Sequence, residues 1–171
     1  MRGRRYRVPC PGCGALVPDS DGPAHKYVVA APGCWAIFGE VTARAYGDFD
    51  YPAVHRLTID AYMAQHPGNA EHDRRQRQSV AIHLCGLYLA IEVGMPLPRV
   101  TAELRRLTDQ QADWPFLPAP LAPRWMTVID VAGAADLDSH AAHSERWARS
   151  VWEAWGPYHE AIRRWAGGPS R

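Results

Sequence analysis

A chain of 171 residues with 47% hydrophobic and 22% charged residues has the make-up of one ordinary globular domain, long enough to bury a core unaided. A net charge of +1 at pH 7 speaks against a dedicated nucleic-acid or membrane-surface binder. The longest apolar run, residues 80–93, contains His83 and Glu92 and is too short to cross a bilayer; no apolar leader precedes Cys10, so the expectation is a cytoplasmic protein with reduced thiols and no membrane partner.

Residues 1–7 read as a loose basic arm carrying Arg2, Arg4, Arg5 and Arg7. Residues 8–33 are rich in Pro and Gly, without a sustained period, and hold a turn at Cys10-Pro11-Gly12-Cys13-Gly14. Residues 26–29 offer a short extended piece. A first helix begins at Cys34, with Ile37, Phe38, Val41 and Ala45 on one stripe, and stops at Gly47-Asp48. A second starts near Pro52, a favourable first-turn residue, and runs to His66 before Pro67-Gly68. A third spans residues 73–93, with Val80, Leu84, Leu87, Tyr88 and Ile91 as its stripe. A fourth covers residues 98–107.

Residues 113–125 hold four prolines and can only cross the molecule as an ordered loop, packed by Trp114, Phe116 and Trp125. Residues 126–131 read as a short strand or a lead-in turn, paired with residues 26–29 if with anything. From Asp138 the chain is helical again, with Trp147, Val151, Trp155, Tyr158, Ile162 and Trp165 near a 3.6 period and a break at Gly156-Pro157. The expected fold is mostly α: five to six helices over residues 34–166, behind an irregular zinc-knuckle segment at 8–34, with room for one short β pair. All 171 residues form a single domain.

The turn at Cys10 and Cys13 is half a tetrahedral zinc site. It aims two thiols at one point, and the amide of Gly14 could donate to a thiolate. Cys34 is the third donor, because a helix N-terminus favours a thiolate. His25, in the same irregular stretch, is the best local fourth, giving C-x2-C-x11-H-x8-C. A reduced metal-free turn and a redox pair are the alternatives; Cys85 reads as a packing thiol.

Eight histidines form a second signal. His55 and His66 lie eleven apart in the second helix pattern, with Asp60 between them, and His83 sits beside the apolar stripe of the third helix. A polar ring there must find a partner, for which Asp60, Gln65 or a metal could serve. His140 and His143, one turn apart, could join such a centre. Individually each of these histidines reads as an ordinary packed or surface residue. Together His55, Asp60, His66 and His83 are the candidate catalytic set of a metal-dependent hydrolase. There is no G-x-S-x-G and no H-E-x-x-H to name a nucleophile or a metalloprotease.

The strings CPGCG, PGCWAIFGEV, HRLTIDAYMAQHPG, RRQRQSVAIHLCGLYLA and WARSVWEAWGPYHEAIRRWA, with His25 and Tyr27, resemble an uncharacterised bacterial domain-of-unknown-function family over residues 8–166. DAYMAQHPG and CPGCG are the most specific parts. The resemblance implies no activity. It implies that Cys10, Cys13, His25, Cys34, His55, Asp60, Gln65, His66 and His83 are the positions to test. The leading expectation is a zinc-binding helical protein whose Zn2+ is structural and whose His- and Asp-rich helical face meets a small molecule or a protein. The others are the hydrolase and a nucleic-acid module built on the basic arm and on Arg74, Arg75 and Arg77, the last weakened by the balanced charge.

Overall fold

The turn signals around Cys10 and Cys13 form the tip of a β-hairpin. A computed structural model describes residues 6–50, 53–68, 71, 73–110, 112–120 and 125–167. Strands β1 (Arg7–Pro9) and β2 (Leu16–Pro18) pair antiparallel, with Val8 opposite Val17. The tip closes through Cys10 N–H donating to Ala15 O at 2.8 Å and Gly14 N–H donating to Cys10 O at 2.8 Å. Gly14 takes the left-handed conformation that ends the tip, with φ +76°. A proline closes each strand, so neither can grow into a sheet. This is the β pair of the molecule. Residues 26–29 contribute one isolated bridge, Val28 to Pro67, and not the strand expected there.

Among the described residues seven α-helices follow: α1 (Pro32–Gly47), α2 (His55–Gln65), α3 (Arg74–Ile91), α4 (Leu97–Asp109), α5 (Val128–Ala132), α6 (Leu137–Ala154) and α7 (His159–Trp165). The mostly α architecture with one short β pair is as the periodicity predicts, and the boundaries of α1 to α4 fall within a few residues of the expected ones. Asp73 caps α3, its carboxylate accepting from the amides of Arg75 and Gln76. The Gly156-Pro157 break is a 3₁₀ turn, Gly156–Tyr158, between α6 and α7. Residues 126–131, which read as a short strand or lead-in turn, instead enter the helix α5 at Val128. The expected start of α2 at Pro52 lies outside the described residues, as do Arg2, Arg4, Arg5 and Pro123.

Helix α2 is the central element, packed against α3 and α6, while α1 packs on α5 and β2 and α3 also meets α4 and α7. The indoles of Trp147 and Trp155 are fully buried between them. Trp155 Nε1 donates to Ala64 O at 3.2 Å and Trp147 Nε1 to Gln65 Oε1 at 3.1 Å, tying α6 and the residue after it to the last turn of α2. Gln65 Nε2 in turn donates to Met126 O at 2.7 Å, so one amide satisfies both ends of this buried joint. The proline-rich crossing is held by Arg77, whose Nε donates to Trp114 O at 2.7 Å and whose Nη2 meets Asp113 at 2.8 Å. Its Nη1 also donates to Glu71 O at 2.6 Å, so Arg77 is engaged within the chain. No helix among the described residues is long and apolar enough to cross a membrane.

Candidate metal centre

Four donors from three distant stretches meet beneath the hairpin. The Sγ atoms of Cys10, Cys13 and Cys34 and a ring nitrogen of His66 all lie within 4.8 Å of one another. All four residues are buried, Cys34 and His66 completely. A tetrahedron of zinc–sulfur bonds of about 2.3 Å has sulfur–sulfur edges of about 3.8 Å. Cys13 Sγ and Cys34 Sγ are 3.9 Å apart and Cys34 Sγ and His66 Nε2 are 3.4 Å apart. Both the donor set and its spacing fit a divalent metal.

The local chain explains how each donor arrives. Cys10 and Cys13 sit on the hairpin tip, where Trp125 Nε1 donates to Cys13 O at 2.9 Å and docks the tip on the body. Gly12 must be glycine, because a Cβ there would run into the Val29 carbonyl and the His66 ring. Cys34 lies in the first turn of α1, where the positive end of the helix dipole favours a thiolate. Gly33 lets that turn press against the Pro18 carbonyl of β2. His66 is the residue after α2, with φ −121° and ψ 53°; it leaves the helix at Pro67, and Val29 N–H donates to its carbonyl at 3.2 Å.

The surroundings of the donors prepare them for a cation. His66 Nδ1 lies 2.8 Å from Tyr62 O, and a carbonyl can only accept. The proton therefore sits on Nδ1 and the Nε2 lone pair points at the sulfurs, the tautomer a metal requires. Ala31 N–H donates to Cys10 Sγ at 3.4 Å, and Tyr62 O–H donates to Cys34 Sγ at 3.6 Å. The Gly14 amide, expected to serve a thiolate, is spent on Cys10 O instead. Cys10 is pushed far down by hydrogen bonds from Cys13 and then Cys34, while sharing with Cys10 pushes Cys13 up to about 12 and Cys34 higher still.

His25, the expected fourth donor, stays outside this group. Its Nδ1 accepts from Tyr27 N–H at 3.2 Å, and its ring packs on Tyr27 and Trp35 at 5.3 Å. His66 takes its place, because the reversal at Pro67 carries residue 66 back to the hairpin. Cys85 is buried apart from the cluster, its thiol pushed up to about 12 by burial.

The four candidate catalytic residues do not converge. His66 belongs to the thiols. His55 lies against Tyr46 with ring centroids 4.8 Å apart and lines a cleft of about 690 Å³ with Arg56, Ile59, Leu97 and Thr101. The His140 ring packs at a tilt on Phe49, centroids 5.0 Å apart, and His143 donates through Nδ1 to Asp130 O at 2.8 Å, so neither joins a shared centre. Only Asp60 and His83 meet: Asp60 is fully buried, and His83 Nδ1 is 2.7 Å from its Oδ1. Arg56, one turn earlier on α2, grips the same carboxylate through Nε at 2.9 Å and through Nη2.

Over residues 8–156 the sequence matches a family described as "Family of unknown function (DUF5946)". No curated protein and no solved structure matches the chain.

Proposed function

The chain belongs to this family of unknown function, and we propose that it is a zinc-stapled helical binding protein whose metal is structural. One observation carries the reading: the four donors are buried and drawn wholly from protein side chains, three sulfurs and one imidazole. A structural zinc site is closed in this way, whereas a catalytic one keeps a position for water or substrate. Bound zinc would tie the hairpin to α1 and to the end of α2 and offset the repulsion of three thiolates. The thiols are free, as a reducing compartment such as the cytoplasm would keep them.

The binding face lies on the other side of α2. Arg56 and Thr101 line both the 690 Å³ cleft and a neighbouring one of about 350 Å³ beside His83. Clefts of that size, apolar with a few polar groups, suit a small molecule. The test is elemental analysis of protein purified without oxidation. One zinc per chain, lost together with thermal stability on exhaustive chelation, supports the reading. Absence of stoichiometric metal, with melting unchanged by chelator, ends it.

A further inference from the structure

We propose that Asp60 and His83 form a proton-accepting dyad that hydrolyses small esters in the cleft between α2, α3 and α4. This rests on the reading of that face as a binding surface and is independent of the thiol centre. The geometry is asymmetric in an informative way. Asp60 is fully buried and can only accept, so the 2.7 Å contact places the His83 proton on Nδ1. Arg56 Nη2 lies 3.4 Å from the same nitrogen, a longer contact between two donors that cannot compete. The lone pair is therefore on Nε2, at the ring edge opposite the buried carboxylate.

His83 lines the 350 Å³ cleft together with Arg56, Thr101, Leu104, Arg105 and Thr108, and its side chain is 16% exposed. Nε2 has no hydrogen-bond partner among the described residues. Helix α3 makes room for the pair through Gly86, one turn after His83, where a Cβ would collide with the Asp60 carboxylate. Arg56 fixes that carboxylate from α2. Three residues on two helices thus hold one imidazole with its basic edge outward.

Two further features select the reaction. Thr101 Oγ1 donates to Leu97 O at 3.3 Å and Thr108 Oγ1 to Leu104 O at 2.8 Å, so both hydroxyl protons are engaged with the backbone. Among the described residues lining the cleft there is no other hydroxyl or thiol nucleophile, which leaves water as the proton donor. Arg105 and Asp109 also line this space, and with Arg56 committed to Asp60 the Arg105 guanidinium is the positive charge open to a developing oxyanion. In the first step Nε2 takes a proton from water, and the freed O–H electron pair forms a bond to the ester carbonyl carbon as the C=O pair moves onto oxygen. In the second that pair returns, the bond to the leaving alkoxide breaks, and the alkoxide recovers the proton from Nε2. Ester and water become acid and alcohol; no cofactor is consumed. His83 is the catalytic residue and Asp60 the positioning residue.

The experiment uses the full chain and p-nitrophenyl acetate. The wild type should turn this ester over with saturation, at least tenfold faster than an equal concentration of N-acetylhistidine, and H83Q should lose that excess. D60N replaces an acceptor with an amide that can donate to Nδ1, which moves the ring proton to Nε2 and removes the base. Long-range ¹⁵N–¹H spectra should show His83 as the Nδ1–H tautomer in the wild type and as Nε2–H in D60N, and loss of turnover with that change at unchanged melting separates a positioning aspartate from a merely structural one. If D60N fails to fold, the wild-type spectrum and H83Q still decide. A wild-type rate no faster than free imidazole, an unchanged rate in H83Q, or an Nε2–H tautomer in the wild type overturns the proposal. Metal content and melting report on the thiol centre and turnover on the dyad, so either reading can fail alone.

Discussion

His66 Nε2 stands 3.4 Å from Cys34 Sγ, although 32 residues separate them along the chain. The contact joins the residue just past α2 to the first turn of α1. It exists because the Tyr62 carbonyl fixes the ring from the Nδ1 side at 2.8 Å. Phe38 stacks on Tyr62 at 3.9 Å and Tyr62 on His66 at 4.0 Å, so an aromatic column supports the nitrogen that faces the sulfurs.

The histidine that completes the cluster can be told from the one that does not. His66→Asn should abolish stoichiometric zinc and destabilise the chain by roughly 3 kcal/mol or more, lowering the melting temperature by roughly 6–12 °C. His25→Asn should leave zinc at one per chain, since His25 caps a turn and packs on Tyr27 and Trp35 outside the donor group. Elemental analysis of the two variants side by side decides, and equal loss from both would remove His66 from its privileged place.

The hairpin tip makes a second expectation. Gly12 faces the His66 ring and the Val29 carbonyl with no space for a methyl group, and backbone cannot retreat cheaply. Gly12→Ala should push the tip away from His66 and lower zinc affinity by at least tenfold in a competition titration with a chromogenic chelator. Gly14→Ala has open space around it and is strained only by its positive φ, which typically costs about 1 kcal/mol. It should keep its metal.

Where the sequence was legible, local rules sufficed. Cys10-x-x-Cys13 in a Pro-Gly turn and Cys34 at a helix start identified three of the four clustered donors, and helical periodicity gave α1 to α4 and α6 with α7. His66 was misplaced for a physical reason. Counting eleven residues from His55 assumes that both are helical, but a residue before proline is driven out of the helical region, and His66 swings off the stripe. The signal was present in His66-Pro67-Gly68: a histidine at a forced helix end is free to meet a distant segment. The β pair escapes a reading by pattern because three-residue strands ending in proline carry no periodicity. The Asp60–His83 contact is legible as one of a few options, since position 83 borders a buried stripe and needs an acceptor. Its separation from His55 depends on how α2 rotates against α3, which no local pattern encodes.

Gln65 is a structural residue in a position that looks functional. Its amide pairs with Trp147 Nε1 and Met126 O, both at the junction of α2 with α6. Gln65→Leu keeps the volume but leaves a buried indole N–H and a carbonyl without partners, at a cost of about 1–3 kcal/mol each. Urea denaturation should show a loss of roughly 2–5 kcal/mol with zinc stoichiometry intact. A variant as stable as the wild type would mean that water replaces the amide.

Two buried histidines set the direction of pH dependence. His55 is pushed down by burial, then by the charge of His140 and of Arg56; His140 is pushed down by burial, then by Arg44 and His143. Both are therefore neutral in the folded protein at a pH where the unfolded chain, with its ordinary value of 6.5, already binds protons. Stability is then fully present above about pH 6.5 and is lost as pH falls through that value toward the lower folded one, with a slope of at most about 1.4 kcal/mol per pH unit for each histidine. Release of a metal held by the thiol cluster would add its own slope at low pH, so the comparison is between variants. His140 Nε2 is buried without a hydrogen-bond partner among the described residues, so His140→Leu removes a titrating group and an unsatisfied atom together. Urea midpoints at pH 7.5, 6.5 and 5.5, in zinc-buffered solution, should show the variant matching or exceeding the wild type at every pH and losing less between 6.5 and 5.5. Identical slopes for the two proteins would mean that His140 takes up its proton in the folded state as readily as in the unfolded one.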